Sequence, residues 1–287
     1  MTTMEPSSTI ALRDPGSWPL WRRQIAAILR LEARKNFLGK RGILLYFAAF
    51  IPVFAMASFA MAVIYFGNPN ERAAWATGVF AAVYQHLVLR TVIYFGCTWA
   101  FINAFRGEVL DRSLHYYLLA PVRREVLVAG KFLAALLATV VLFGGSTLVS
   151  VLLTYLPYGS EGLSFLFSAT GMKHLAGYLT VTALGCLGYG AIFLLLGLYL
   201  KNPILPAVLI FLWEWVSFLL PPLLKKLTVS HYLKSLAPVP VSDGPLALPV
   251  EPTPAWLATF GLLLFAGALV TLAAFAIRRR EVDYGEE

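Results

Sequence analysis

Four polar side chains interrupt stretches of the sequence that are otherwise apolar: Gln85, His86, Arg90 and Glu214. In a membrane, a central charge costs about 2.5–3.5 kcal/mol on insertion scales, so each charged group needs a partner or water. From the helical rise, Arg90 and Glu214 should differ in depth by about 7 Å, which a long arginine can bridge. The two are predicted to form either an ion pair between packed helices or part of a substrate path or dimer seam.

Motifs for catalysis are scarce elsewhere in the chain. Gly144-Gly145-Ser146 lacks the closing glycine of a nucleophile elbow, and no lysine stands in a phosphate-binding loop. An embedded enzyme acting on lipid would need several polar groups at one depth, and only Gln85, His86 and Arg90 approach this. The histidines lack the paired spacing of metal ligands: they are His86, His115, His174 and His231. We therefore expect no catalytic residue, no metal site and no cofactor bound by this chain.

A charged segment, Arg106–Lys131, lies between two apolar stretches and is twenty-six residues long. Its apolar residues follow helical spacing, which predicts a short amphipathic helix from about Glu108 to Leu119, ended by Pro121. A second short helix should begin near Arg123. On pattern alone, the first helix either docks on a partner or lies in the membrane interface without one.

The amino-terminal segment predicts another amphipathic helix. Ser17 is a plausible cap and Pro19 is tolerated in the first turn. An apolar stripe follows, with basic residues off it: the stripe is Trp18, Trp21, Ile25 and Ile28, and the basic residues are Arg23, Arg30 and Arg34. This pattern favours a helix in the inner membrane interface with its aromatic side toward lipid. The alternative is a basic signal that only orients the first span.

Composition places these segments in a membrane protein. The chain has 287 residues, is 59% hydrophobic and 13% charged, and has a mean hydropathy of +0.73. Soluble domains average about 25% charged residues. Two separate cysteines, Cys97 and Cys186, exclude a disulfide scaffold or zinc site, and each is expected to be a small buried residue. The excess of basic residues indicates membrane orientation rather than nucleic-acid binding.

Six apolar runs are long enough, or nearly so, to be spans of about 20 residues. The predicted spans are Ile43–Phe66, Leu87–Phe105 after a tilted or outer-face entry from Ala73, Phe132–Leu156, Leu175–Leu200, Ile204–Leu220 and Ala255–Ile277. The fold class is therefore an all-α polytopic membrane protein. With a cytoplasmic amino terminus, seventeen lysines and arginines face inward and five outward, so both termini are predicted to be cytoplasmic.

The chain divides into three parts on this interpretation. Residues 1–42 form a cytoplasmic tail and interfacial helix, 43–277 the transmembrane domain, and 278–287 a cytoplasmic tail. Within the domain, the outer segment 225–254 should hold a short helix, spanning about 223–236, and then an extended proline-rich cover. Glycines are expected where helices approach closely: Gly144, Gly145, Gly185, Gly188 and Gly190.

The inner loop and the span pattern together resemble a known family. Glu108, the pair Asp111-Arg112, the run 118–124 and the Gly130-Lys131 span entry are similar to the loop of type-2 ATP-binding-cassette exporter permeases. The resemblance extends over the chain, through the amino-terminal helix, six spans and terminal Arg278-Arg279-Arg280. One departure is the bulky apolar run 116–119, where the family usually has small or polar residues.

The resemblance implies a transport subunit rather than an enzyme. The loop 106–131 would be a coupling helix that docks on a separate ATPase, with ATP and magnesium bound by that partner. Two ATPase copies and a second permease copy would complete a homodimer in a bacterial inner membrane, in contact with membrane lipids and not nucleic acid. The coupling residues would be Glu108, Asp111, Arg112, Leu114, Tyr117, Leu118, Pro121 and Arg123. A non-transporting assembly or sensory subunit using the same ATPase, and a lipid-modifying enzyme, are the alternatives.

Overall fold

The computed structural model describes residues 18–66, 73–110, 123–200, 202–242 and 250–279. These residues form helices joined by short turns, with no strand among them, which confirms the predicted all-α class. The principal helices are α1 Trp18–Leu38, α2 Lys40–Phe66, α3 Ala73–Val83, α4 Tyr94–Leu110, α5 Arg124–Tyr155, α6 Gly159–Leu166, α7 Ala169–Tyr199, α8 Ile204–Val216, α9 Pro222–Lys225, α10 Val229–Leu236 and α11 Ala255–Arg279.

Five helical stretches of the described chain are long and apolar enough to cross a membrane: Gly42–Phe66, Trp75–Gly107, Arg124–Leu166, Ala169–Tyr199 and Ala255–Ile277. They support an integral membrane protein and match five of the predicted spans. The remaining prediction, Ile204–Leu220, corresponds to the shorter apolar helix Ile204–Leu219. This stretch comprises α8 and one 3₁₀ turn and falls below the roughly 20 residues of a full upright crossing.

The second long stretch is continuous where the sequence suggested an interruption. A π-helical segment, Tyr84–Ile93, joins α3 to α4 without a break. It contains Gln85, His86 and Arg90. The polar residues are thus accommodated by a wider local helix and not by a separate entry helix, and π-helical turns inside α-helices occur frequently at functional sites.

Helices α4 and α7 run side by side in the same direction, and glycines on α7 permit their approach. A Cβ at Gly190 would collide with the ring of Phe101, and one at Gly197 would lie 2.9 Å from the Cα of Ile102. Close approach at Gly190 was predicted from the sequence. The same prediction was wrong for Gly144 and Gly145, where an added Cβ meets ordinary contact or open space.

Two ends of the bundle are used as reference points below. The loop end is where α4 ends at Leu110 and α5 begins at Arg124, and the cap end is where α10 lies. Within the predicted loop 106–131, residues 106–110 belong to α4, and the helix predicted to begin near Arg123 begins at Arg124 as the first turns of α5. Most of the other predicted helix, Glu108–Leu119, lies outside the described residues. The predicted short helix near 223–236 is two helices, α9 and α10, and residues 237–242 and 250–254 have no regular structure.

Candidate functional site

One face of α1 packs along the first turns of α5 at the loop end. The guanidinium of Arg123, just before α5, lies 4.9 Å from the ring centroid of Trp21. Further along, Gly130 leaves room for Ile28, whose side chain would lie 2.9 Å from a Cβ at that glycine. The contacts follow the same order in both helices, so α1 and α5 run parallel. The predicted stripe of α1 therefore contacts protein at Trp21 and Ile28.

The centre of this packing is a buried ion pair. The ammonium Nζ of Lys131 lies 3.0 Å from Oε1 of Glu32, and the two side chains are 0% and 4% exposed. The same ammonium donates a 2.9 Å hydrogen bond to the carbonyl oxygen of Ala104 and lies 5.4 Å from the ring centroid of Phe105. The ammonium of Lys131 thus joins three helices. Helices α4 and α5 lie on the two sides of the loop, and α1 is the amino-terminal helix.

Because the two charges of this ion pair are buried, their stability depends on close contact with each other. Removing two charges from water costs several kcal/mol per ion, and only close pairing and further hydrogen bonds offset that cost. A second contact extends the junction, since Nη1 of Arg124 donates to the carbonyl oxygen of Ile277 near the end of α11 at 3.1 Å. The arginine also places positive charge at the carboxyl end of that helix, where it is favourable. Polar contacts therefore connect α1, α4, α5 and α11 at the loop end.

The structure places only some of the predicted loop and α1 residues. Arg123 is exposed and contacts Trp21, while Arg23 and Arg30 are exposed on α1. Trp18 opens α1, and Glu108 belongs to the last turn of α4. Six of the predicted coupling residues lie outside the described residues: Asp111, Arg112, Leu114, Tyr117, Leu118 and Pro121.

Glu214 lies at the cap end with its carboxylate on the first turn of α10. It is 4% exposed, and its oxygens accept backbone hydrogen bonds from Val229 at 2.9 Å and Ser230 at 3.3 Å. The N–H groups at the start of a helix lack intrahelical acceptors, and the helix dipole favours negative charge there. Glu214 therefore fastens α8 to α10, beside the side-chain cap that Thr228 supplies to His231.

Arg90 lies within electrostatic range of Glu214 but makes no contact ion pair with it. Its Nε and Nη2 atoms are buried and have no hydrogen-bond partner. In the same π-helical segment, Gln85 is buried and donates from Nε2 to the carbonyl oxygen of Val239 at 2.8 Å, whereas His86 is exposed. Of the four predicted intramembrane polar residues, Glu214 and Gln85 form hydrogen bonds at the cap end, His86 is exposed, and Arg90 has buried donors without a partner.

Further polar contacts near the π-helical segment were not singled out from the sequence. Tyr84 donates to the carbonyl oxygen of Tyr178 at 2.9 Å and lies 2.8 Å from Oγ1 of Thr182. Tyr94 donates to the carbonyl oxygen of Ala207 at 2.6 Å. These bonds tie the second stretch to α7 and α8, so the π-helical segment is held on several sides.

Sequence reasoning missed Glu32, and it noticed Lys131 only as part of the span entry and not as the partner of a buried acid. Glu32 continues the spacing of Trp21, Ile25 and Ile28, so it occupies the apolar stripe of α1. An acid in such a stripe indicates a buried carboxylate that needs a cation. Lys131, at the beginning of a long apolar run, is the complementary signal.

Electrostatics at the cap end favour a neutral histidine. Burial lowers the pKa of His231, and the nearby Lys226, Lys225 and Lys234 lower it further. Its Nε2 atom lies 3.1 Å from Oγ1 of Thr253, which precedes α11. The ring therefore links α10 to the chain entering α11 in a strongly positive environment.

Within the described part of the chain, no three His, Cys, Asp or Glu side chains are grouped so as to hold a metal ion. Both cysteines are buried, as predicted. No protein-family model matches this chain, and no curated protein matches it. The arguments for a function therefore rest on the residues and contacts given above.

Proposed function

We propose that this chain is the permease subunit of an ATP-driven exporter, in which a separate ATPase subunit binds the loop between α4 and α5. Two copies of the chain would pair around a central path and recruit two ATPase chains. The observation that carries the proposal is the buried Lys131 junction, which joins α1 to both helices that enter the loop.

Such a junction is what a coupling loop requires. A movement applied to residues 111–122 reaches the bundle through the ends of α4 and α5. Because Lys131 bonds to Glu32 and to the carbonyl of Ala104, those ends and α1 resist independent movement. A displacement would then pass to the long helices as one unit instead of being lost at a flexible boundary.

The proposed topology has six crossings, with the loop end on the cytoplasmic side of a bacterial inner membrane. Helix α8 is short for a crossing, and its Glu214 bonds to α10, so α8 and α10 together would complete the fifth passage. Short hydrophobic stretches are also accommodated by local thinning of the bilayer. The excess of basic residues at the loop end supports this orientation.

Labelling in sealed vesicles tests the orientation. Cys97 and Cys186 are buried, so a cysteine introduced by Ser7→Cys, Ser113→Cys or Gly285→Cys should react above a low background. All three should be labelled from the cytoplasmic side, and Lys226→Cys from the opposite side. Labelling of Ser7→Cys and Gly285→Cys from different sides would show an odd number of crossings, and would contradict the six-span topology.

The cargo we propose is lipophilic or amphipathic. The bundle surface is rich in apolar and aromatic side chains. A cargo with an apolar body would complement such a surface. This favours an amphiphile over a small hydrated ion.

Co-purification tests the proposed partner. A tagged chain extracted from its native membrane should retain an ATPase, and the double substitution Leu114→Asp with Leu118→Asp should release it. The matched control is Leu223→Asp with Leu227→Asp, which has the same spacing, at exposed positions near the cap end. If the loop variant retains the ATPase as well as the control does, the docking assignment is wrong.

A further inference from the structure

An open cleft of about 420 Å³ lies between the cap helix α10 and the first half of α11. This volume is within the range of about 300–1,000 Å³ that is usual for ligand sites. One wall is an apolar stripe on α11, made by Leu257, Gly261 and Phe265. The opposite wall includes Tyr232 of α10, and Lys226 lines the cleft from the turn before that helix.

The shape of the cleft depends on Gly261. The stripe repeats every four residues, so its members project on one side of α11. At Gly261 an added Cβ would meet nothing within 4 Å. The stripe therefore has an open groove at its centre, bordered by the side chains of Leu257 and Phe265.

Positive charge is concentrated beside this groove. Residues 215–242 contain Lys225, Lys226 and Lys234, and the nearby carboxylate of Glu214 is engaged by the amides of Val229 and Ser230. Burial lowers the pKa of the nearby His231, and these same lysines lower it further. A ligand that fills the groove and meets Lys226 should be apolar along most of its length and anionic at one end.

We propose that the cleft binds an anionic phospholipid of the surrounding membrane, with an acyl chain along the α11 stripe and the phosphate against Lys226. The depth of the cleft agrees, because residues 257–265 occupy the part of α11 next to the cap end, where one leaflet would lie. This placement rests on the orientation proposed above, and it does not depend on an ATPase or on transport.

Native mass spectrometry of the purified chain, titrated separately with phosphatidylglycerol and phosphatidylcholine, tests the proposal. Phosphatidylglycerol should bind more tightly, and Lys226→Gln should reduce that preference about fivefold, as expected for one lysine beside an anionic headgroup. Gly261→Leu should fill the groove and abolish the tight binding of phosphatidylglycerol. The matched control is Gly267→Leu, on an exposed face of the same helix that also has room for a side chain, and it should bind as the parent does.

A measurement on the parent chain does not depend on whether a variant folds. A photoreactive phosphatidylglycerol in vesicles should label α11 peptides around Leu257–Phe265. Equal binding of the two lipids, equal effects of Gly261→Leu and Gly267→Leu, or labelling elsewhere would overturn the proposal. Cross-linking of α11 to a second copy at this cleft would also overturn it. None of these measurements involves the ATPase, so their failure is distinguishable from failure of the proposed function.

Discussion

Lys131 and Glu32 are 99 residues apart in the chain, and their charged groups lie 3.0 Å from each other in the interior of the protein. The lysine also holds the carbonyl of Ala104, so it contacts two other helices at once. This relationship joins three helices at the loop end of the bundle.

Loss of Lys131 should leave the buried carboxylate of Glu32 with the longer contact to the partly exposed Lys35 in place of its close buried partner. Lys131→Ala should therefore lower the free energy of unfolding by about 3–5 kcal/mol, as for other broken buried pairs. The measurement is a denaturant titration of the purified chain. The combined change Glu32→Leu with Lys131→Met should recover much of this loss, because an apolar pair carries no desolvation cost.

Lys35 supplies the control for that experiment. It also approaches Glu32, at 3.4 Å, but its side chain is 39% exposed. Partly exposed pairs are worth about 0–1 kcal/mol, so Lys35→Ala should have little effect. Equal losses from Lys35→Ala and Lys131→Ala would contradict the assignment of the junction to Lys131.

Close packing of α4 against α7 should be sensitive to one added methyl group. Gly190→Ala places a Cβ against the ring of Phe101 and should destabilise the protein by about 1–3 kcal/mol, the usual cost of overpacking. At Gly145, where an added Cβ meets nothing, Ala should instead stabilise by up to about 1 kcal/mol through its helix propensity. Thermal unfolding in one detergent compares the two, and matching shifts would show that the α4–α7 contact is not tight.

The apolar runs are enough to predict most of the fold. Five predicted spans fall within long helices because the length of an uncharged run reports directly on membrane-spanning potential. The direction of side chains was harder to predict. The stripe of α1 was assigned to lipid, and its contacts with Arg123 and Gly130 depend on a helix a hundred residues away. Local periodicity shows that a face is apolar and does not show what covers it.

The polar sites were only partly predictable for a related reason. Glu214 was correctly noticed as a charge that needs compensation, but its acceptor role toward Val229 and Ser230 involves backbone groups, which carry no sequence signature. The π-helical segment that contains Gln85 likewise makes polar contacts with residues far away in the chain, Tyr178 and Val239. Composition identifies which groups need partners, and the folded arrangement selects those partners.

Glu214 and Arg90 should prove to have separate roles. Glu214→Ala removes the acceptor for two amides and should destabilise α10 locally by about 1–3 kcal/mol, since hydrogen bonds to charged groups are the stronger ones. Hydrogen exchange of Val229–Leu236 measures this. Arg90→Gln should leave that exchange nearly unchanged, because Arg90 makes no contact ion pair. Equal damage from each change and from both together would instead indicate that Arg90 and Glu214 act as an ion pair.

Acidification should loosen the cap through His231. Its pKa is lowered in the fold, so the unfolded chain takes up the proton first as the pH falls below about 6.5. The stabilising contribution is therefore complete above pH 6.5 and is lost as the pH falls through the folded pKa. Exchange of Val229–Leu236, corrected for intrinsic rates, should be faster at about pH 5 than at about pH 7.5.

The substitution His231→Gln isolates that effect. Glutamine can still bond to Thr253 but does not titrate, so the pH dependence of exchange in α10 should largely disappear. If the variant and the parent lose protection equally in acid, another group controls the cap.

Docking of an ATPase on the loop between α4 and α5 is the central claim, and site-specific photo-crosslinking in intact cells tests it most directly. A photoreactive amino acid at Leu118 should yield an adduct with an ATPase subunit, identified by mass spectrometry, whereas the same group at Leu223 should not. An adduct at Leu118 that contains only lipid or an exterior protein, while the chain still transports cargo, would contradict the account.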